Sequence, residues 1–172
     1  MKNKDNILLI GMPGSGKSTV GKILAKKTGM KHIDTDALIC DAEGMSLHDI
    51  IKAKGLEEFK RIEEQTLLDL NVKGCVISTG GSAVYFEKAM EHLKESCTAV
   101  YLFTDPDTLL SHIRNLDTRG ITFRPGQGFK DLYEERCPLY EKYADITVTA
   151  GLSTPMQVAR SIIREISLRS GR

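Results

Sequence analysis

The sequence predicts an α/β sandwich with a mostly parallel sheet, and three observations carry the prediction. Short runs rich in Val, Ile and aromatic residues alternate with longer amphipathic runs along the chain. The first apolar run, NILLI, passes directly into a glycine-rich stretch, GMPGSGKST, from Gly11 to Thr19. No internal repeat, low-complexity tract or linker interrupts the 172 residues, so a single domain over 1–172 is expected.

The expected strands are NILLIG (6–11), KHIDT (31–35), CVIST (75–79), AVYLF (99–103) and DITVT (145–149). Each is short and β-branched or aromatic, as buried parallel strands are. KSTVGKILAKKTG reads as a helix that ends at Gly29, and ALICDAEG as another after Asp36. SLHDIIKAKG opens on a Ser46-x-x-Asp49 cap and closes on Gly55. LEEFKRIEEQTLLDL sets Phe59, Ile62 and Leu70 on roughly one face. DPDTLLSHIRN starts with Asp105 and Pro106 in helix-opening positions. DLYEERCPLYEKYA is helical in composition, with a kink or break expected at Pro138. TPMQVARSIIREISLR closes the chain as an amphipathic helix. Ligands of such sheets bind beyond the carboxyl ends of the strands. That rule selects the glycine loop, Asp34 and Asp36, the GGS at 80–82, TDPD and AGLSTP.

Apolar residues make up 41% and charged residues 27%, an ordinary globular balance. The net charge of +1 gives no electrostatic case for a nucleic-acid or membrane partner. No apolar run approaches a membrane span, and no signal-peptide pattern is present. Cys40, Cys75, Cys97 and Cys137 form no C-x-x-C pair, so reduced thiols and a cytoplasmic location are expected. His32, His48, His92 and His112 have neither metal-like nor triad-like spacing and are read as structural or surface residues.

Gly11, Gly16, Lys17 and Ser18 fit G-x-x-x-x-G-K-[ST], the phosphate-binding loop, in the strand-before, helix-after context it needs. Glycines at 11, 14 and 16 let successive N–H groups face one point beside the positive end of the next helix. Gly14, Ser15, Gly16, Lys17, Ser18 and Thr19 are therefore the expected nucleotide contacts, Lys17 as a point charge and Ser18 as a Mg²⁺ ligand. A guanine-reading Asn-Lys-x-Asp is missing: NKDN at 3–6 ends in Asn6 and precedes the first strand. DAEG (41–44) and DTRG (117–120) do not directly follow strands, and the third strand ends in Ser78-Thr79-Gly80-Gly81 rather than a Walker-B Asp. Small size and absent hydrolase marks favour a kinase acting on a small molecule. Asp34 and Asp36, two apart in an extended segment, would point to one side. There one would hold the Mg²⁺ hydration shell and the other would accept from an acceptor hydroxyl. The same residues equally suit capping of the following helix.

With these residues in place, the chain resembles the shikimate kinase family nearly end to end. The likeness covers GMPGSGKST, DTD, EEFKRIEE (57–64), TGGSAV (79–84), an Arg-centred lid near Arg119 and ERCPLYEKYAD (135–145). It implies the P-loop kinase fold: a three-layer sandwich with a five-stranded parallel sheet, a substrate-binding helical region about 35–62 and a lid about 115–130. It also implies ATP- and Mg²⁺-dependent phosphorylation of the 3-hydroxyl of shikimate, in aromatic amino-acid biosynthesis; a monomer is expected. Carried over, Asp36 would hold the reacting hydroxyl and Asp34 would position Mg²⁺. Gly80 and Gly81 would bring N–H groups to the acceptor, and Arg136 would bind its carboxylate. Arg119 would close on the transferring phosphate, and Pro155 and Arg114 would border adenine. Each also has a plainer reading. Arg136 suits a helix-face pair with Glu135 or acids one turn away, Arg119 and Arg124 suit loop cations, and Gly80-Gly81 suits a tight turn.

Three positions depart from the family pattern. Phe59-Lys60 stands where Phe-Arg is usual, and Arg61 is rotated by about 100° on a helix and does not replace it. Lys60 remains the expected, weaker carboxylate contact. The usual triple glycine reads Gly80-Gly81-Ser82, and the lid's Arg-Pro-Leu-Leu reads Arg119-Gly120-Ile121-Thr122. The rival readings are a kinase for another small hydroxy acid or polyol, a nucleoside monophosphate kinase-like protein, and a nucleotide-binding regulatory paralogue without phosphotransfer.

Overall fold

Every residue of strand β1, Asn6–Ile10, is buried, because this strand lies at the centre of a sheet covered on both faces. The computed structural model describes residues 4–113, 121, 123, 124 and 126–171. Around β1 stand β2 (Lys31–Asp34), β3 (Cys75–Ser78), β4 (Cys97–Phe103) and β5 (Ile146–Thr149), in the order β2-β3-β1-β4-β5. All four pairings are parallel, with Leu8 opposite Ile77 on one side and Ala99 on the other. β2 stops at Asp34 and β4 starts at Cys97, so the expected strands were one residue too long and two too short at those ends.

Alternation along β1 sorts the core into two layers. Ile7 and Leu9 join Val76, Val100 and Leu102 under helices α1 (Lys17–Thr28) and α8 (Pro155–Ser170), which add Val20, Leu24, Val158 and Ile162. Leu8 and Ile10 join Ile77 and Tyr101 against α5 (Glu87–Ser96) and α7 (Phe129–Tyr143), which add Met90, Leu93, Leu132 and Tyr140. Leu8, Leu9 and Ile10 are each 0% exposed, and burial of such side chains stabilises by about 1.5–3 kcal/mol apiece. Three further helices, α2 (Thr35–Glu43), α3 (Leu47–Lys54) and α4 (Leu56–Leu68), share a small cluster of Ile39, Ile50 and Phe59. Helix α6 spans Pro106–His112, opened by Asp105, whose side chain accepts from Thr108 N–H.

Helix α7 is not broken at Pro138. Pro138 and Glu134 lie on its exposed face, where water can satisfy the Glu134 carbonyl that the missing N–H leaves. Helix α4 ends at Leu68, so Leu70 packs on the core from outside the helix.

Candidate active site

The carboxyl end of β1 runs into the glycine loop at the centre of the sheet. Gly14 and Gly16 have φ of +83° and +90°, the left-handed region that side chains resist. Gly14 is also sterically pinned: a Cβ there would stand 2.8 Å from Ile113 Cγ1. Gly16 precedes α1 with no side-chain cap, so the first N–H groups of that helix are free to meet an anion. Lys17 is 8% exposed, and its Nζ donates to the carbonyls of Gly11 at 2.7 Å and Met12 at 2.9 Å. Ser15 Oγ is buried without a hydrogen-bond partner among the described residues. Gly14, Gly16, Lys17, Ser18, Thr19, Asp36, Gly80 and Gly81 line one cavity of about 440 Å³. Ser15, Thr19 and Pro155 border an adjoining one of about 340 Å³. His112, set aside on spacing, lines both cavities, and its Nδ1 lies 3.3 Å from the Gly14 carbonyl. Nothing in its sequence context marked it.

The two aspartates do not sit on one strand. Asp34 ends β2, and Asp36 stands in the first turn of α2, which corrects the extended-segment expectation. Asp34 takes the capping role the sequence left open for it, and its second oxygen is engaged elsewhere. Its Oδ1 accepts from the N–H groups of Asp36 at 3.1 Å and Ala37 at 3.2 Å, capping α2. Its Oδ2 accepts from Ser18 Oγ at 2.5 Å. A hydroxyl and a carboxylate converging in this way suit a hard cation that retains several waters. Asp36 does not cap. Burial, and then the charge of Asp34, push its carboxyl up to about 6 against the opposing pull of Lys17.

The loop after β3 approaches these groups closely. A Cβ on Gly80 would stand 2.8 Å from Asp36 Oδ1 and 3.0 Å from Glu63 Oε1. One on Gly81 would stand 2.8 Å from Pro13 and 2.9 Å from Arg136 Nη1. A side chain at either position would have to displace these groups. The Gly80 N–H donates to Thr35 Oγ1 at 3.3 Å, so that donor is already engaged. Beyond the loop a third cavity of about 390 Å³ is bordered by Phe59, Lys60, Glu63, Ser82, Tyr85 and Arg136, among others. A small space between it and the first cavity is lined by Asp36, Gly80 and Gly81 on one side and by Glu63, Ser82 and Arg136 on the other.

Arg136 is 4% exposed. Its Nε donates to Tyr85 Oη at 3.2 Å, and its guanidinium lies 5.2 Å from the centre of that ring. It forms no ion pair among the described residues. The helix-face pairing with Glu135 is not made: Glu135 accepts from Tyr85 Oη at 2.5 Å and Gln127 Nε2 at 3.1 Å, and pairs with Arg124. Lys60 borders the cavity, but its Nζ pairs with Glu57 at 2.9 Å. Glu63, 5% exposed, was not singled out from sequence. Its signal was a Glu four residues after Phe59, on the buried face of α4. Burial pushes its carboxyl up to about 7. Arg114 and Arg119 lie outside the described residues, as does most of the expected lid's first half.

A glycine loop closing the central strand of an all-parallel sheet, with a hydroxyl–carboxylate pair and a buried carboxylate beside it, defines a P-loop kinase fold. A family model described as shikimate kinase matches residues 13–167. The shikimate kinase of Sulfurihydrogenibium sp. is 38% identical over 95% of this chain and 99% of its own length. Among solved structures, the shikimate kinase from Acinetobacter baumannii in complex with shikimate superposes with a TM-score of 0.89 at 30% identity, covering 96% of this chain and 94% of that one. The Aquifex aeolicus shikimate kinase gives 0.85 at 34%, covering 96% and 98%. The chain belongs to the shikimate kinase family.

Proposed function

We propose that the protein transfers the γ-phosphoryl group of ATP to the 3-hydroxyl of shikimate, with Mg²⁺. The observation that carries the acceptor side is Arg136: a buried guanidinium with no acid partner among the described residues, at the edge of a cavity and lining, with Asp36, the small space beside it. A buried cation in that position calls for a carboxylate from a ligand, and the guanidinium fork matches one. The acceptor complex of the Acinetobacter relative supports shikimate as that ligand.

Mg²⁺ supplies charge neutralisation on the phosphate oxygens, and Ser18 and Asp34 would hold it. The N–H groups of residues 14–19 and Lys17 would bind the triphosphate, with Pro155 and Thr19 toward the base. Asp36 would accept the proton as the acceptor oxygen bonds to phosphorus and the bond to the ADP oxygen breaks. Gly80, Gly81 and Lys60 would border the acceptor, Arg119 would come from the lid segment about 115–130, and Arg114, just before it, would lie beside the base. Helices about 35–62 would form the acceptor-binding region of a single domain. One chain lines both cavities, so a monomer suffices; four unpaired thiols fit a cytoplasmic setting. Among the described residues no helix is long and apolar enough to cross a membrane.

Lys60 favours one second reading. Its pairing with Glu57 leaves Arg136 as the main carboxylate contact, which suits a different small hydroxy acid equally well. ATP turnover, measured with shikimate and with a panel of hydroxy acids, separates the two. Shikimate-dependent ADP formation above every other acceptor is expected. Preference for another acid overturns the acceptor and leaves the kinase; turnover independent of any acceptor overturns both.

A further inference from the structure

Glu63 is buried with only one of its carboxylate oxygens hydrogen-bonded. Ser82 Oγ donates to Oε1 at 2.6 Å, while Oε2 has no hydrogen-bond partner among the described residues. An orphaned buried carboxylate oxygen is costly unless something supplies a donor. Glu63 borders both the small space beside Asp36 and Gly80 and the cavity beside Arg136; Oε2 itself is closed to water, so its donor has to come from a group that seats against Glu63 as the acceptor binds. Position 82 decides how Glu63 is held. A glycine there would leave Oε1 without this donor, and Lys60, one position along the helix from Arg61 and one turn from Glu63, is paired with Glu57 instead.

We propose that Ser82 is a positioning residue for acceptor specificity: its hydroxyl holds Glu63 so that Oε2 receives a hydrogen bond from a second hydroxyl of the acceptor. The acceptor class is then a polyhydroxy acid. Its carboxylate meets Arg136, its reacting hydroxyl meets Asp36 and a further hydroxyl meets Glu63. The inference rests on the reading of this cavity as the acceptor site.

The test is a double-mutant cycle in steady-state kinetics with shikimate and ATP at about pH 8, where Glu63 is mostly ionised. Wild type, Ser82→Ala, Glu63→Met and the double variant are compared, with thermal melts as the check on folding. Loss of a hydrogen bond held to a charged group predicts about a tenfold rise in the KM for shikimate in Ser82→Ala. The KM for ATP should stay within about twofold, since uniform acceptor binding alone is lost. The double variant should be no worse than Glu63→Met. Penalties that multiply in the double variant, or a folded Ser82→Ala with unchanged KM for shikimate, overturn the inference alone. Ser82→Ala decides by itself should Glu63→Met not fold. A wild-type protein that transfers no phosphate to shikimate overturns the acceptor reading and this inference with it.

Discussion

Ser18 and Asp34 meet in a 2.5 Å hydrogen bond while the other carboxylate oxygen of Asp34 caps helix α2. One side chain thus ties the nucleotide loop to the helix that carries Asp36.

The cap that Asp34 makes and the Mg²⁺ role proposed for it separate by substitution. Asn caps a helix about as well as Asp, so Asp34→Asn should melt near wild type yet need a higher Mg²⁺ concentration for half-maximal activity. Asp34→Ala should show the same Mg²⁺ defect and lose about 1 kcal/mol of stability as well. Magnesium titrations alongside chemical denaturation check both. A normal Mg²⁺ requirement in Asp34→Asn would leave the residue a cap only.

Asp36→Asn keeps the shape of the side chain and removes the proton acceptor. Because Asp34 does the capping, the substitution should not weaken the fold. The raised carboxyl of Asp36 means that its ionised form is already disfavoured in the native state. Turnover should fall by about 10²- to 10⁴-fold, with nucleotide affinity preserved. Single-turnover transfer and nucleotide titration distinguish this from a binding defect.

Arg136→Met should raise the KM for the acceptor by about tenfold to a hundredfold, the cost of a charge-assisted hydrogen bond, and leave the KM for ATP unchanged. Lys60→Arg should lower the acceptor KM, since a guanidinium can pair with a carboxylate through two parallel bonds. Initial rates over an acceptor series read both. An Arg136→Met enzyme with an unaltered acceptor KM would remove the carboxylate assignment.

Glu63 makes stability depend on pH. Its carboxyl lies at about 7 in the folded protein against an ordinary 4.5, so the folded state binds the proton more tightly than the unfolded chain does. Its favourable contribution is complete below the unfolded value and is lost as pH rises through about 7. Glu63→Gln should therefore stabilise the protein by about 1–3 kcal/mol at about pH 8 and by little at about pH 4. Urea unfolding at both pH values tests this; an equal effect at both would show that Glu63 carries no pH-dependent cost.

The strands and the glycine loop were legible because their signals are local. NILLI is uniformly apolar over the length of one strand, and the glycine, lysine and hydroxyl spacing of residues 11–18 serves one chemical end. Asp34 and Asp36 were legible as a pair but not in their arrangement. The strand stops at Asp34, and the turn into α2 changes the direction of everything after it. Arg136 stood out only through the resemblance, since a helix position beside Glu135 reads as a solvated pair. What frees it is Tyr85, Arg124 and Gln127, all of which reach Glu135 from elsewhere in the chain or the fold. Glu63 looks like one acid among several in EEFKRIEE, and its burial depends on the loop of Gly80 and Ser82 approaching it from elsewhere in the chain.

The sequence by itself determined the α/β alternation, the phosphate loop and the family, because periodicity and short motifs are properties of neighbouring residues. Tertiary structure alone decided which charges are paired and which are buried without a partner. Lys60 is taken by Glu57 and Glu135 by Arg124, while Arg136 and one oxygen of Glu63 are buried without such partners among the described residues. The reason is physical: the cost of burying a charge depends on what surrounds it in space, and residues far apart in the chain supply those surroundings.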